Sequence, residues 1–190
     1  GKKGSITNSG GENLAQIDYV LELFKLAKKE GINTCIDTSG GCFTREEPFF
    51  SKFNELMEYT DLLLVDIKEI NNERHIALTG RSNENILDMA RYLSEINKPI
   101  WIRHVLVPER SDYDEDLIEL DRFISTLSNV YRVEILPYHT LGVFKWEELK
   151  IPYQLEGIKP PTKERVDNAN RLLHVDRYTR YLDNKKKKSS

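Results

Sequence analysis

The chain has 190 residues, 39% of them hydrophobic and 31% charged, with a formal net charge of −3. That is enough chain for one sizeable core. It is too acidic for a nucleic-acid surface and has no apolar run near the roughly 20 residues that span a bilayer. Neither nucleic acid nor a membrane is therefore expected as a partner. The two cysteines, Cys35 and Cys42, make no disulfide framework and point to a reducing, cytoplasmic compartment. Residue 1 is glycine and the only methionines are Met57 and Met89, so a cut or processed chain is expected.

Ser5-Ile6-Thr7 reads as the end of a strand. Ser9-Gly10-Gly11-Glu12 follows: two glycines allow a tight turn and close approach to a ligand, and a carboxylate comes at once. Leu14, Ile17, Val20, Leu21, Phe24 and Ala27 then recur at helical spacing, and Gly31 closes that helix as a C′ glycine would. Asn33 to Asp37 is a short β-like run, followed by the helical stripe Phe49, Phe53, Leu56 and Met57. Leu62-Leu63-Leu64-Val65 is a continuous apolar strand. Ile86, Met89, Ala90, Leu93 and Ile96 mark the next helix, with Ser82 or Asn83 as its cap.

Pro99 to Val107 and Val133 to Leu136 are further strands, separated by the stripe Leu117, Leu120, Ile124 and Leu127. From about residue 140 to Val166 the chain is irregular and proline-rich. A last helix carries Val166, Ala169 and Leu173, and Lys185 to Lys188 read as a solvated tail. Strands alternating with helices predict an α/β fold built on a parallel sheet, its apolar strands covered by helices.

The polar residues fall at strand ends. Glu12 follows the first strand, Asp37 ends the second, Asp66 and Lys68 end the third, Arg103 lies in the fourth, and His139 follows the fifth. Ligands in parallel α/β folds bind beyond the carboxyl ends of the strands. Asp66 and Lys68 share strand parity and so one face. Together these groups suit a small zwitterion, with acids for its amine and Lys68 and Arg103 for its carboxylate. Each has a plainer reading as a turn, a cap or a solvent-facing charge, but five strands each bring a candidate. His75, His104 and His174 have no metal-ligand spacing and are read as structural, as is Cys35.

Several stretches resemble one family. Asp61 to Lys68, Trp101 to Pro108 and Leu136 to His139, then Lys145-Trp146 and Tyr153 to Pro161, are similar in order and type to the activating enzymes of pyruvate formate-lyase. These belong to the radical S-adenosylmethionine superfamily. The resemblance implies a partial (β/α)6 barrel over residues 1–175, here without its first βα unit, and a tail over 176–190. It implies S-adenosylmethionine as the ligand, contacted by Gly10, Gly11, Glu12, Asp37, Thr38, Ser39, Asp66, Lys68, Arg103 and His139. A monovalent cation held by Asp37, Thr38, Val65 and Asp66 is a further implication.

The family's reaction uses a [4Fe–4S] cluster on a Cys-x3-Cys-x2-Cys motif. An electron from the cluster cleaves the cofactor, and the resulting 5′-deoxyadenosyl radical takes hydrogen from a glycine of the partner, a glycyl radical enzyme of the pyruvate formate-lyase type. An electron donor such as flavodoxin or ferredoxin is implied as well. Cys35 and Cys42 do not supply that motif, so the chain is expected to be a C-terminal piece, inactive alone. Asn13 stands where proline usually follows Gly-Gly-Glu, Ser39 where asparagine is common, and Glu109 where glycine follows Val-Pro. Two other classes stay open: a barrel lyase with Lys68 as Schiff-base nucleophile, and a non-catalytic docking module for a glycyl radical enzyme.

Overall fold

A computed structural model describes residues 4–9, 12–140, 155 and 157–182. Five strands make one parallel sheet: β1 (Ser5–Asn8), β2 (Asn33–Thr38), β3 (Leu62–Asp66), β4 (Ile100–Leu106) and β5 (Val130–Pro137). Their spatial order is their chain order. Every crossover therefore steps the same way, and right-handed crossovers then place the helices on one face. The sheet is wound as a sector of a βα barrel, with no reversal of strand order.

The helices are α1 (Ile17–Lys29), α2 (Phe49–Glu58), α3 (Asn72–Thr79), α4 (Glu84–Glu95), α5 (Asp114–Ser125) and α6 (Lys163–Leu172). Helix α1 ends as its glycine predicts. Gly31 has φ 68°, its N–H donates to Lys28 O at 3.0 Å, and Ile32 N–H donates to Ala27 O at 2.9 Å. This is the paired closure that left-handed C′ residues make.

Strand alternation gives the sheet two unlike faces. Ile36, Leu63, Val65, Ile100, Ile102 and Val133 are buried in one cluster with the helix-stripe residues Val20, Phe24, Phe53, Met89 and Ile124. Each such side chain contributes about 1.5–3 kcal/mol by leaving water, so this layer holds the fold. The alternate positions Asp37, Leu64, Asp66, Trp101, Arg103 and Glu134 are only half-buried. Apolar cover on both faces, expected from the continuous runs, holds on one face alone; the other is free to carry charge.

Helix α3 is absent from the sequence reading. Only His75 of its eight residues is buried, so it has no apolar stripe. It forms through its ends. The Asn71 side chain accepts from Arg74 N–H at 3.1 Å, and Gly80 closes it at φ 76°. Residues 176–182, expected as the start of a tail, include Tyr181, whose ring lies 5.8 Å from that of Trp101 on β4. The Arg132 guanidinium of β5 sits 5.0 Å and 4.9 Å from those two rings. Lys185 to Lys188 lie outside the described residues.

Candidate functional site

The carboxyl ends of β1 and β2 meet at Glu12. Its carboxylate accepts from the hydroxyls of Thr38 and Ser39 and from Leu14 N–H at 3.3 Å, where it caps a 3-10 turn over Asn13–Gln16. Asn13, where the family has proline, donates through Nδ2 to Asn8 O at 2.9 Å and also to Asp37 O. One side chain thus ties the ends of β1 and β2 together, a bond proline cannot make. Thr38 Oγ1 accepts from Gly40 N–H at 2.9 Å. Gly40 has φ 73°, and a Cβ there would meet Met89 Cε at 2.5 Å, so only glycine lets this loop lie on α4 without displacing a buried side chain.

Arg103 bridges two strands. Its Nε donates to Asp66 Oδ1 at 2.7 Å and its Nη2 to Asp37 Oδ1. Burial works against the guanidinium charge, but the Asp66 and Asp37 carboxylates outweigh it and hold the pKa above its ordinary value. Arg103 was expected to grip a ligand carboxylate; here its charge is already matched by two acids of the chain. Lys68 is exposed and makes no hydrogen bond or ion pair among the described residues, which leaves its ammonium for a ligand. The same exposure removes the burial that a Schiff-base lysine uses for activation.

Glu12, Ser39, Asp66 and Lys68 line one cleft of about 120 Å³. Its far wall comes from α3 and the turn after it: His75, Thr79, Arg81 and Ser82. None of these four was singled out from the sequence as a site residue. The pairing of Asn71 and Gly80 as helix ends was the available signal. His75 Nδ1 lies 3.2 Å from Glu69 O, and burial pulls its pKa down. Asp37, Thr38 and Arg103 back the cleft without lining it. His139 is exposed just past β5, outside the cleft, and Gly10 and Gly11 lie outside the described residues.

The cleft is small and charged: Glu12 and Asp66 bring negative charge to it, Lys68 and Arg81 positive. It has room for an amino-acid head rather than for a nucleoside, and the donor set suits the methionyl end of S-adenosylmethionine. The thiols do not suit an iron–sulfur cluster. Cys35 lies within β2, and burial pushes its thiol up to about 11. Cys42 is in the following loop, its pKa also raised by burial. Cluster ligands must be thiolates and three in number. Among the described residues no group of three or more histidine, cysteine or acidic side chains is placed to hold a metal ion.

The sequence pattern of the radical SAM superfamily matches residues 1–124. A pyruvate formate-lyase-activating enzyme of Streptococcus mutans is 55% identical over 181 residues, covering 95% of this chain and 69% of that protein. Its counterpart in Listeria monocytogenes is 53% identical over 175 residues, 92% of this chain and 71% of that one. The crystal structure of a domain of such an enzyme from Bacteroides vulgatus superposes with a TM-score of 0.73 at 21% identity, covering 93% and 96% of the two chains. That last match speaks for the fold; the first three speak for descent. The chain belongs to the radical SAM superfamily and, within it, to the family of pyruvate formate-lyase-activating enzymes.

Proposed function

We infer that this chain is the cofactor-binding barrel of an activating enzyme that generates a glycyl radical on pyruvate formate-lyase. One observation carries the site: Glu12, Ser39, Asp66 and Lys68, from three successive strand ends, line a single cleft. Membership of the superfamily brings S-adenosylmethionine and a [4Fe–4S] cluster with it. When bound, S-adenosylmethionine supplies the group that removes hydrogen from the partner's glycine.

The chain's own residues bind and orient. Glu12 receives the cofactor's amine, and the Thr38 and Ser39 hydroxyls fix its carboxylate in place. Lys68 faces the cofactor's carboxylate. Arg103 sets the positions of Asp37 and Asp66 and offsets one of their two negative charges. The family resemblance also assigns Gly10 and Gly11, which lie outside the described residues, to the amine, and His139, which lies outside the cleft, to a further cofactor contact. A cation among Asp37, Thr38, Val65 and Asp66 fits poorly, because a guanidinium already sits between the two acids. The cluster does not fit two separated thiols, and no step is assigned to it in this chain. A flavodoxin- or ferredoxin-type electron donor completes the reading.

The test is a chimera in which this chain replaces the matching 181-residue stretch of the Streptococcus mutans relative. After anaerobic loading with iron and sulfide, it is mixed with S-adenosylmethionine, reductant and pyruvate formate-lyase. A glycyl radical EPR signal, abolished by Glu12→Ala and weakened by Lys68→Ala, is expected. A folded, cluster-loaded chimera that gives no signal overturns the reading.

A further inference from the structure

His104 is buried on the helix side of β4, 2% exposed. Its Nδ1 lies 2.9 Å from Ile67 O and its Nε2 2.8 Å from Ser111 O. Both partners are carbonyl oxygens, which only accept. A neutral imidazole has one N–H and one lone pair, so it can satisfy one of the two and sets its lone pair against the other; the imidazolium donates to both. The two carbonyls belong to different parts of the molecule. Ile67 stands between Asp66 and Lys68 at the end of β3, and Ser111 is in the loop that joins β4 to α5.

We propose that His104 is a positioning residue for the cleft, a clamp that ties the Asp66–Lys68 strand end to the β4–α5 loop when both ring nitrogens carry protons and releases one side when a proton leaves. The geometry around it supports a ring that titrates. Burial is the strongest influence and holds the pKa below its ordinary value, against the pull of the two carbonyls and of the Asp112 and Asp116 carboxylates toward the charged ring. Asp116, on α5, is itself bound by Arg74 of α3, which also pairs with Glu115. Asp112, in the loop, accepts from Glu109 N–H and pairs with Arg165 of α6 at 3.4 Å. Glu69, after β3, is buried and feels both Asp116 and Arg74. On β5 the neighbour in register is the apolar Ile135. The clamp's bearing on the cofactor rests on reading Asp66 and Lys68 as cleft contacts.

The experiment uses the unmodified chain, labelled with 15N. Long-range imidazole correlations and backbone amides are followed from about pH 5 to about pH 8.5. The amides of Lys68 and Asp112 share their peptide groups with the Ile67 and Ser111 carbonyls and so report on the two bonds. Expected is one transition in which His104 goes from two ring N–H groups to one, with the Lys68 or Asp112 amide shifting at the same midpoint. A ring that keeps one protonation state across the range overturns the proposal, as does a transition that neither amide follows. Glu69→Gln separates the nearest competing titration: the shared transition persists if His104 carries it, and its disappearance overturns the proposal. No ligand is added, so the result does not depend on the cofactor reading. That reading fails separately, if the chimera with Lys68→Ala keeps its full radical yield.

Discussion

Arg103 Nε donates to Asp66 Oδ1 at 2.7 Å between two residues that the β3–β4 register sets side by side. Its Nη2 reaches on to Asp37 on β2, so one guanidinium spans three strands. The three side chains are 17–23% accessible, dry enough for the loss of a partner to matter. Arg103→Met should cost about 2–3 kcal/mol, somewhat less than the roughly 3–5 of a fully buried pair, because water reaches these groups. Two facing carboxylates would then raise one of their pKa values, so the variant should recover stability as the pH falls through the carboxylate range. Arg103→Lys offers one donor site where a fork is needed and should recover only part of the loss. Urea melts of the three proteins at two pH values check this; equal losses at both would refute it.

Glu109 has φ 61°, the left-handed region that side chains other than glycine, asparagine and aspartate avoid. Its N–H donates to Asp112 Oδ1 at 2.9 Å, which helps to hold the turn. Glu109→Gly removes the strain and keeps that bond, so it should stabilise the chain by about 0.5–1 kcal/mol, part of the roughly 1–2 being offset by glycine's freedom when unfolded. Thermal melts of the two proteins decide; a destabilised glycine variant would show that Glu109 holds more than its own backbone.

Much of this was legible in the chain itself. Strands β3, β4 and β5 follow from apolar runs, β1 and β2 from short β-like segments, and α1, α2, α4, α5 and α6 from helical stripes, because all of these but β1 bury one face against the same layer. Helix α3 was invisible for the opposite reason: it buries only His75, and its caps rather than its period define it. Glu12, Asp66 and Lys68 were found because strand ends can be read from sequence, and Ser39 through the family resemblance. His75, Thr79, Arg81 and Ser82 were missed because their place depends on where α3 lies. The pairing of Arg103 with Asp37 depends on reach across β3, which spacing along the chain does not encode. Asn13 looked like a departure from its family, and only the contact with the Asp37 carbonyl shows what it does.

Two thiols on separate segments, both with pKa values raised by burial, make a poor start for a cluster. Anaerobic incubation of this chain with iron and sulfide should give neither the visible absorbance of a [4Fe–4S] cluster nor its reduced EPR signal. Cys35→Ser and Cys42→Ser should leave that null result unchanged. A cluster retained through gel filtration and lost in either variant would mean that other side chains complete the site.

Glu69 is 1% exposed, and its Oε2 has no hydrogen-bond partner among the described residues. Its Oε1 accepts from Asn71 N–H at 3.0 Å, just before α3. Burial raises its pKa from 4.5 to about 7, helped by the nearby Asp116 carboxylate. A pKa raised on folding means that the neutral acid is what the fold prefers. Its stabilising contribution is complete below about pH 4.5 and is lost as the pH rises through about 7. At about 1.4 kcal/mol per unit the full swing is on the order of 3 kcal/mol. Glu69→Gln keeps an acceptor for Asn71 and cannot ionise. The variant should match the parent chain near pH 5 and exceed it increasingly toward pH 8, when unfolding is followed by circular dichroism. A stability gap that is flat with pH, or that widens toward acid, would show that Glu69 is ionised in the fold at neutral pH.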